Sequence, residues 1–459
     1  MSLVPSLSCL SLAVLLAGPA AAMSDDELAG KLGQRLHGDR TGACFAVAVV
    51  EAGAVARAYG CADAAAEPRI GPDSAFEIGS VSKTMVSALL AREIAAGRAS
   101  LDDTLASWLP EGTRVPDFEG EPIRLRHLVT HTSGLPALPP GVAITNPGNP
   151  YAGMRRADLH AALGRVELGR APGTAFEYSN FAVMLLSEAL SRRAGEPLET
   201  LLDQHLFTPL GMPGAYLDQR PDDVRAVQGH APNRAPVPAW TFRDDAGGVG
   251  GVRATLDDMV AWVQAQLGAA PDELQPVLEL TRQPAWTQGQ PNMGMGWMLA
   301  PLNGRRVHAH EGGTGGFSSM VVFDREAGRG VVVLSDTALH SLGGLGSLGL
   351  HLLDPSVPLG EPRREAKAPA ELLDALAGDY QLQGMMKMSL RRKGDALEIQ
   401  AEGQPAFAMG YDSAGDFYPR AFDAVLRPVP RPDGSLAFVW IQGGGAVPAE
   451  RLPSRSATP

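Results

Sequence analysis

Apolar residues recur along the chain with two periods, and the places where the period changes mark its parts. Asp25 to Leu36 repeats at three and four positions and predicts a helix, with Ser24 or Asp25 available to cap it. Phe45–Val50 and Val55–Tyr59 are strand-like runs around Glu51-Ala52-Gly53-Ala54 and predict a hairpin. A helical run follows from Val81 to Ile94. Helical patterns at Arg156–Gly164, Phe181–Ala194, Leu198–Leu206 and Leu256–Leu267 predict a mostly helical region to about residue 280, with loops rich in Pro and Gly. Strand periodicity returns from about Met295, in Gly296–Leu299, Val307–His310, Phe317–Phe323 and Gly330–Leu334. Early and late strands around a helical insert predict one sheet built from both ends of a domain. Residues 355–370 are rich in Pro and charge and read as a linker. From Leu372 the chain reads as all-β: Met388/Leu390 and Leu397/Ile399 alternate around Lys393-Gly394-Asp395, which predicts a small sheet or barrel over 371–459.

Composition narrows the function. A length of 459 residues suits two or three domains. The net charge of −12 argues against a nucleic-acid partner, which calls for a basic patch. No Cys/His spacing suggests a metal site. Residues 1–22 read as a secretory signal, with an apolar stretch at Leu10–Leu16 and Ala20-Ala21-Ala22 as a cleavage site. Its leading end lacks Lys or Arg, so a start at Met23 is the alternative. Nothing later is apolar for long enough to cross a bilayer. Cleavage removes Cys9 and leaves Cys44 and Cys61. A hairpin centred between Ala52 and Gly53 sets these two opposite each other, near disulfide range in an oxidising compartment. A register slip would leave two buried thiols instead.

The candidate chemistry begins at Ser80 and Lys83, three apart at the head of an apolar helix and hence neighbours on one face. A serine hydroxyl is a poor nucleophile without a base in reach, and a lysine serves as base only when desolvation or a nearby cation lowers its pKa. The chain has 39 Lys+Arg but only five lysines, Lys31, Lys83, Lys367, Lys387 and Lys393. Between residues 32 and 366 every other strong cation is arginine, which cannot act as a base. Lys83 therefore looks selected for proton transfer. Tyr178-Ser179-Asn180 opens a later helix. A tyrosine beside an ammonium is expected to have its phenolate favoured and to exchange protons with serine, leaving group or water. Asn180 would offer its amide to a substrate amide. In His310-Glu311-Gly312-Gly313, glycines let bare backbone approach a ligand, and an N–H there joins that of Ser80 as a candidate oxyanion hole.

These motifs, in this order, resemble the serine β-lactamase and penicillin-binding-protein superfamily, and within it the class C β-lactamase group. Phe76-Glu77-Ile78-Gly79-Ser80-Val81-Ser82-Lys83-Thr84 is similar to that group's active-site segment, and Leu128-Val129-Thr130-His131-Thr132-Ser133-Gly134-Leu135-Pro136 to its L-x-T-H-T-S-G-L-P loop. Ala246-Gly247-Gly248-Val249 and Thr255–Met259 also have counterparts there. The resemblance implies an α/β (α+β) fold over 23–354, an antiparallel sheet flanked by helices plus a mostly helical subdomain. The tail is similar to a lipocalin-like domain. Carried over by position, Ser80 is the acylated nucleophile, Lys83 its base or electrostatic partner, and Tyr178 the general acid/base. Asn180, His310, Gly312 and Gly313 contact substrate, and Ser80 and Gly313 supply the oxyanion N–H groups. His131 reads as structural. His310-Glu311-Gly312 stands where class C β-lactamases carry Lys-Thr-Gly, whose lysine helps hold a β-lactam carboxylate. Glu311 should point away from His310 and Gly312 by strand alternation. The resemblance thus implies an exported, cofactor-free serine hydrolase acting on a small-molecule or peptidoglycan-like substrate, foremost the amide bond of β-lactams. D-Ala-D-Ala carboxypeptidase, D-aminopeptidase and carboxylesterase activities are the alternatives on the same scaffold. From another class, a penicillin-binding sensor without turnover, or an envelope binding module, is the rival.

Overall fold

In the computed structural model the amphipathic stripe of helix α1 (Asp25–Leu36) buries Leu28, Leu32 and Leu36, and Ser24 caps it by accepting the Glu27 N–H. The structure describes residues 22–453 except 52, 64–68, 147, 244–245, 384–385 and 443–444. Residues 1–21 of the expected signal segment 1–22, and Ala52 of the hairpin turn, lie outside the described residues.

Strands β1 (Cys44–Glu51) and β2 (Ala54–Cys61) form the expected hairpin, in the register that sets Cys44 against Cys61. The two sulfurs are bonded, and the Cα atoms are 4.0 Å apart. The late strands are β3 (Asn292–Met293), β4 (Met298–Leu302), β5 (Arg305–Gly313), β6 (Ser318–Asp324) and β7 (Arg329–Ser335). They join the hairpin in one sheet of order β3-β4-β5-β6-β7-β1-β2, with β7 antiparallel to β1. The sheet thus draws on both ends of the domain.

Both of its faces are covered, which explains why β1 reads as a continuous apolar run. Ala46, Ala48, Val321, Phe323, Val332 and Leu334 face the helical region, whereas Phe45, Val47, Val49, Val331 and Val333 face α1 and the late helix Gly346–Leu353. Two helices of the helical region carry site residues, α2 (Ser82–Ala95) and α3 (Asn180–Ala194). Among the described residues no helix is long and apolar enough to cross a membrane.

The tail forms a closed eight-stranded barrel between Gly378 and Arg451, and Met388, Leu390, Leu397 and Ile399 all lie in its core. The expectation of pure β from Leu372 needs correction. Ala370–Leu376 is a helix whose Leu373 and Leu376 are buried in the barrel core, a contact that overrides the strand reading. Part of the linker-like segment is also pinned. Arg363 pairs with Asp412 and Asp416 of the barrel, and Arg40 reaches Asp412 at 3.3 Å.

Candidate active site

Ser80 sits in a 3-10 turn, Gly79–Val81, that feeds directly into α2. Gly79 adopts φ +50°, a conformation that suits glycine, and its neighbour across space is the backbone of Gly313. A β-carbon on Gly79 would lie 2.6 Å from the Gly313 nitrogen, and one on Gly312 would lie 2.1 Å from the Ile78 carbonyl oxygen. Bare backbone on both sides lets β5 press against the serine turn. Ser319 Oγ donates to the Ile78 carbonyl at 2.7 Å and closes the joint.

Lys83 lies on the first turn of α2 and is 1% exposed. Its Nζ is 2.8 Å from Ser80 Oγ and 2.6 Å from the Val249 carbonyl. Burial holds the amine well below its usual pKa. The Val249 carbonyl ends the turn Ala246–Val249, which wedges between α2 and α3. A β-carbon on Gly248 would meet Val86 and Ser187, both at 2.3 Å. This carbonyl has no side-chain signature, and the Ala-Gly-Gly-Val motif is its only trace in the sequence.

Tyr178 arrives from the residues just before α3. Its ring centroid is 5.1 Å from Lys83 Nζ, and its hydroxyl shares a hydrogen bond with the Ser80 side chain. Burial raises the phenol pKa, and the bond to Ser80 only partly opposes that. The expected phenolate is therefore not the resting state: burial disfavours the charged form of both the amine and the phenol. Ser179 caps α3 by accepting the Ala182 N–H and donates to the Pro136 carbonyl at 2.7 Å.

His131 fits its structural reading. The ring is buried, stacks on Tyr178 at 4.3 Å, and accepts the Ser179 N–H through Nδ1. Its pKa is lowered by burial first, then by Lys83 and His310, so it is neutral.

His310 projects from β5 and is 1% exposed. Its Nδ1 donates to the Glu311 carbonyl at 2.7 Å, which leaves Nε2 as a bare acceptor with no protein partner. Burial, then Lys83, pushes its pKa down to about 4. Glu311 lies on the opposite face of the strand, beside Gly346, in agreement with alternation. Asn180 donates through Nδ2 to the Tyr151 hydroxyl at 3.0 Å, and its Oδ1 is buried with no partner. The structure thus gathers Ser80, Lys83, Tyr178, Gly312 and Gly313 around one point. His310 and Asn180 border it. Tyr151 was not anticipated. Among the described residues no group of His, Cys, Asp and Glu is arranged to hold a metal ion.

A family model described as Beta-lactamase matches residues 28–341. The chain belongs to the beta-lactamase family. Among relatives of this beta-lactamase-family chain, the D-alanyl-D-alanine-carboxypeptidase/endopeptidase AmpH of Escherichia coli is 33% identical over 264 residues. That match covers 53% of this chain and 66% of AmpH, just short of two thirds of that protein. Esterase EstB of Burkholderia gladioli is 29% identical over 63% of this chain and 84% of its own. Among solved structures, the beta-lactamase/D-alanine carboxypeptidase of Yersinia pestis, complexed with citrate, superposes with a TM-score of 0.55 at 27% identity. It covers 65% of this chain and 88% of that one. The sheet-and-helix domain accordingly has the beta-lactamase fold.

Proposed function

We propose that the protein hydrolyses amide bonds of β-lactams through an acyl-enzyme on Ser80, in the manner of class C β-lactamases. The observation that carries this reading is the buried Lys83 amine, 2.8 Å from Ser80 Oγ and with its pKa depressed by burial. A neutral amine takes the Ser80 proton as Oγ attacks the carbonyl. The oxyanion that forms is met by the N–H groups of Ser80 and Gly313. Tyr178, a neutral phenol bonded to Ser80, gives its proton to the leaving nitrogen and regains one from the Lys83 ammonium. In the second half, water enters where the leaving group stood. The same groups run in reverse, and Ser80 is released with its proton.

One observation favours a second reading. His310 is neutral and carries its free lone pair on Nε2, so it cannot hold a carboxylate as an ammonium would. Simple esters, substrates of the kind that the name of Esterase EstB specifies, need carry no carboxylate and form the same acyl-enzyme. The leader-like residues 1–22 and the Cys44–Cys61 bridge support export to an oxidising compartment.

The test is a parallel rate comparison on a chromogenic cephalosporin, a short-chain nitrophenyl ester and a D-Ala-D-Ala peptide, with Ser80→Ala as control. Labelled penicillin that appears on Ser80 and is then lost supports the hydrolase. A permanent adduct supports the sensor reading, and turnover by Ser80→Ala contradicts the mechanism.

A further inference from the structure

Glu77 ends the short strand Ser74–Glu77, three residues before Ser80, and is 4% exposed. Across from it in the neighbouring strand stands Arg253. Glu77 Oε1 accepts from Arg253 Nη2 at 3.2 Å and from the Trp240 N–H at 2.8 Å. Arg253 in turn donates to the Trp240 carbonyl and, at 2.6 Å, to the Leu217 carbonyl. The ion pair thus grips the Trp240 backbone by both its N–H and its carbonyl. Beyond Gly313, β5 ends and the chain turns back, with the Thr314 N–H donating to the Phe317 carbonyl at 3.0 Å. The Trp240 indole and Val237 lie on that turn. A β-carbon on Gly315 would stand 2.9 Å from Trp240 Nε1, and one on Gly316 only 2.4 Å from Val237 Cγ2. Trp240 Nε1 also donates to the Gly148 carbonyl at 3.1 Å, and the His230 N–H donates to the Gly316 carbonyl at 3.1 Å. The turn that follows Gly313 is therefore clamped by a segment that is itself fastened to the serine strand through Glu77.

We infer that Glu77 is a positioning residue for the oxyanion hole: through the Trp240 backbone it seats the indole on the Gly315 turn and so holds the Gly313 N–H in register with that of Ser80. One carboxylate then governs both donors. By the chain it is joined to Ser80, and through Trp240 it fixes the turn that ends the strand of Gly313. Oxyanion donors are effective only when they are already aimed at the place where charge develops, so a small loosening of this joint costs rate rather than binding. The inference rests on the acyl-enzyme reading above and names what keeps that site rigid. It also gives the buried Glu77–Arg253 pair a purpose beyond joining two short strands.

The experiment uses the full chain and nitrophenyl propionate labelled with carbon-13 at its carbonyl. Steady-state rates give kcat and KM. Infrared difference spectra of the acyl-enzyme give the carbonyl stretch, which moves to lower wavenumber as hydrogen bonds to the oxygen strengthen. Glu77→Ala is expected to lower kcat at least about tenfold and to raise the stretch. KM should change less than about twofold, because acylation and deacylation use the same two donors. Glu77→Gln keeps an acceptor for the Trp240 N–H and should recover kcat to within about threefold of the native value, with the native stretch. Gly315→Ala reaches the same joint without touching the buried pair. Its methyl would meet the indole, so the stretch should rise again, and the change should add nothing in a Trp240→Ala background. If Glu77→Ala melts below the assay temperature, the Gly315→Ala comparison decides alone. An unchanged stretch in folded Glu77→Ala or in Gly315→Ala, a loss carried by KM alone, or a glutamine variant as poor as the alanine one would overturn the inference. A native protein that shows no acyl-enzyme band, or a band that survives Ser80→Ala, would instead sink the acyl-enzyme reading, and the inference would fall with it.

Discussion

The missing β-carbon of Gly312 and the carbonyl oxygen of Ile78 would stand only 2.1 Å apart, so β5 touches the serine turn only because that position is glycine. Two bare stretches of backbone, Gly79 and Gly312-Gly313, make the joint between the sheet and α2. Gly312→Ala must push the strand away from the turn. We expect kcat/KM to fall at least a hundredfold, a result that steady-state assays check directly, with melting lowered by overpacking of about 1–3 kcal/mol.

Replacing Lys83 separates charge from proton transfer. Lys83→Arg retains a cation but cannot supply a base. Acylation by a chromogenic substrate should fall nearly as far as in Ser80→Ala. Full activity in the arginine variant would end the proton-transfer role.

Acid should destabilise the fold through its buried histidines. His127, His308 and His310 each have a pKa pushed down to about 4, mainly by burial. Unfolding restores the ordinary value near 6.5, so below that pH the unfolded chain binds more protons and stability drains away until about pH 4. His308 is 6% exposed, stacked on Phe323 at 4.8 Å with Nε2 donating to the Arg282 carbonyl. Its share is on the order of 3 kcal/mol. Melting curves between pH 7 and pH 4 should show a steep fall for the native chain and a shallower one for His308→Gln.

The barrel is anchored by charge. Asp412 is fully buried and accepts ion pairs from Arg40 at 3.3 Å and Arg363 at 3.4 Å, while the Arg40 guanidinium lies 3.7 Å from the Tyr418 ring centroid. Asp412→Ala would remove the ion-pair partner of Arg40 and leave Arg363 with Asp416 at 2.8 Å, a cost on the order of 3 kcal/mol. Differential scanning calorimetry should show a lower transition, with activity at 25 °C little changed because Asp412 contacts none of the residues that touch Ser80.

The parts of this molecule with periodic or spaced side chains were legible from the sequence. The Cys44–Cys61 pairing follows from a hairpin centred between Ala52 and Gly53, one of two registers the sequence left open, the two-ended sheet from alternating runs, and the Ser80–Lys83 contact from spacing on one helical face. What depended on backbone was not. The Val249 carbonyl that holds Lys83 leaves no side-chain mark, and Tyr151 comes from a Pro- and Gly-rich loop without a period. The expected Tyr178 phenolate failed for another reason. Y-x-N spacing says nothing of burial, and burial outweighs the hydrogen bond to Ser80. The helix Ala370–Leu376 lies where the all-β reading began, and its two buried leucines answer to the barrel core.

With only five lysines in the chain, Lys83 can be watched alone. Selective carbon-13 labelling of lysine, with Lys83→Arg to assign the resonance, gives its titration curve by NMR. The account predicts a Lys83 amine that titrates far below the ordinary lysine value. A Lys83 resonance that titrates near pH 10.4 would contradict it.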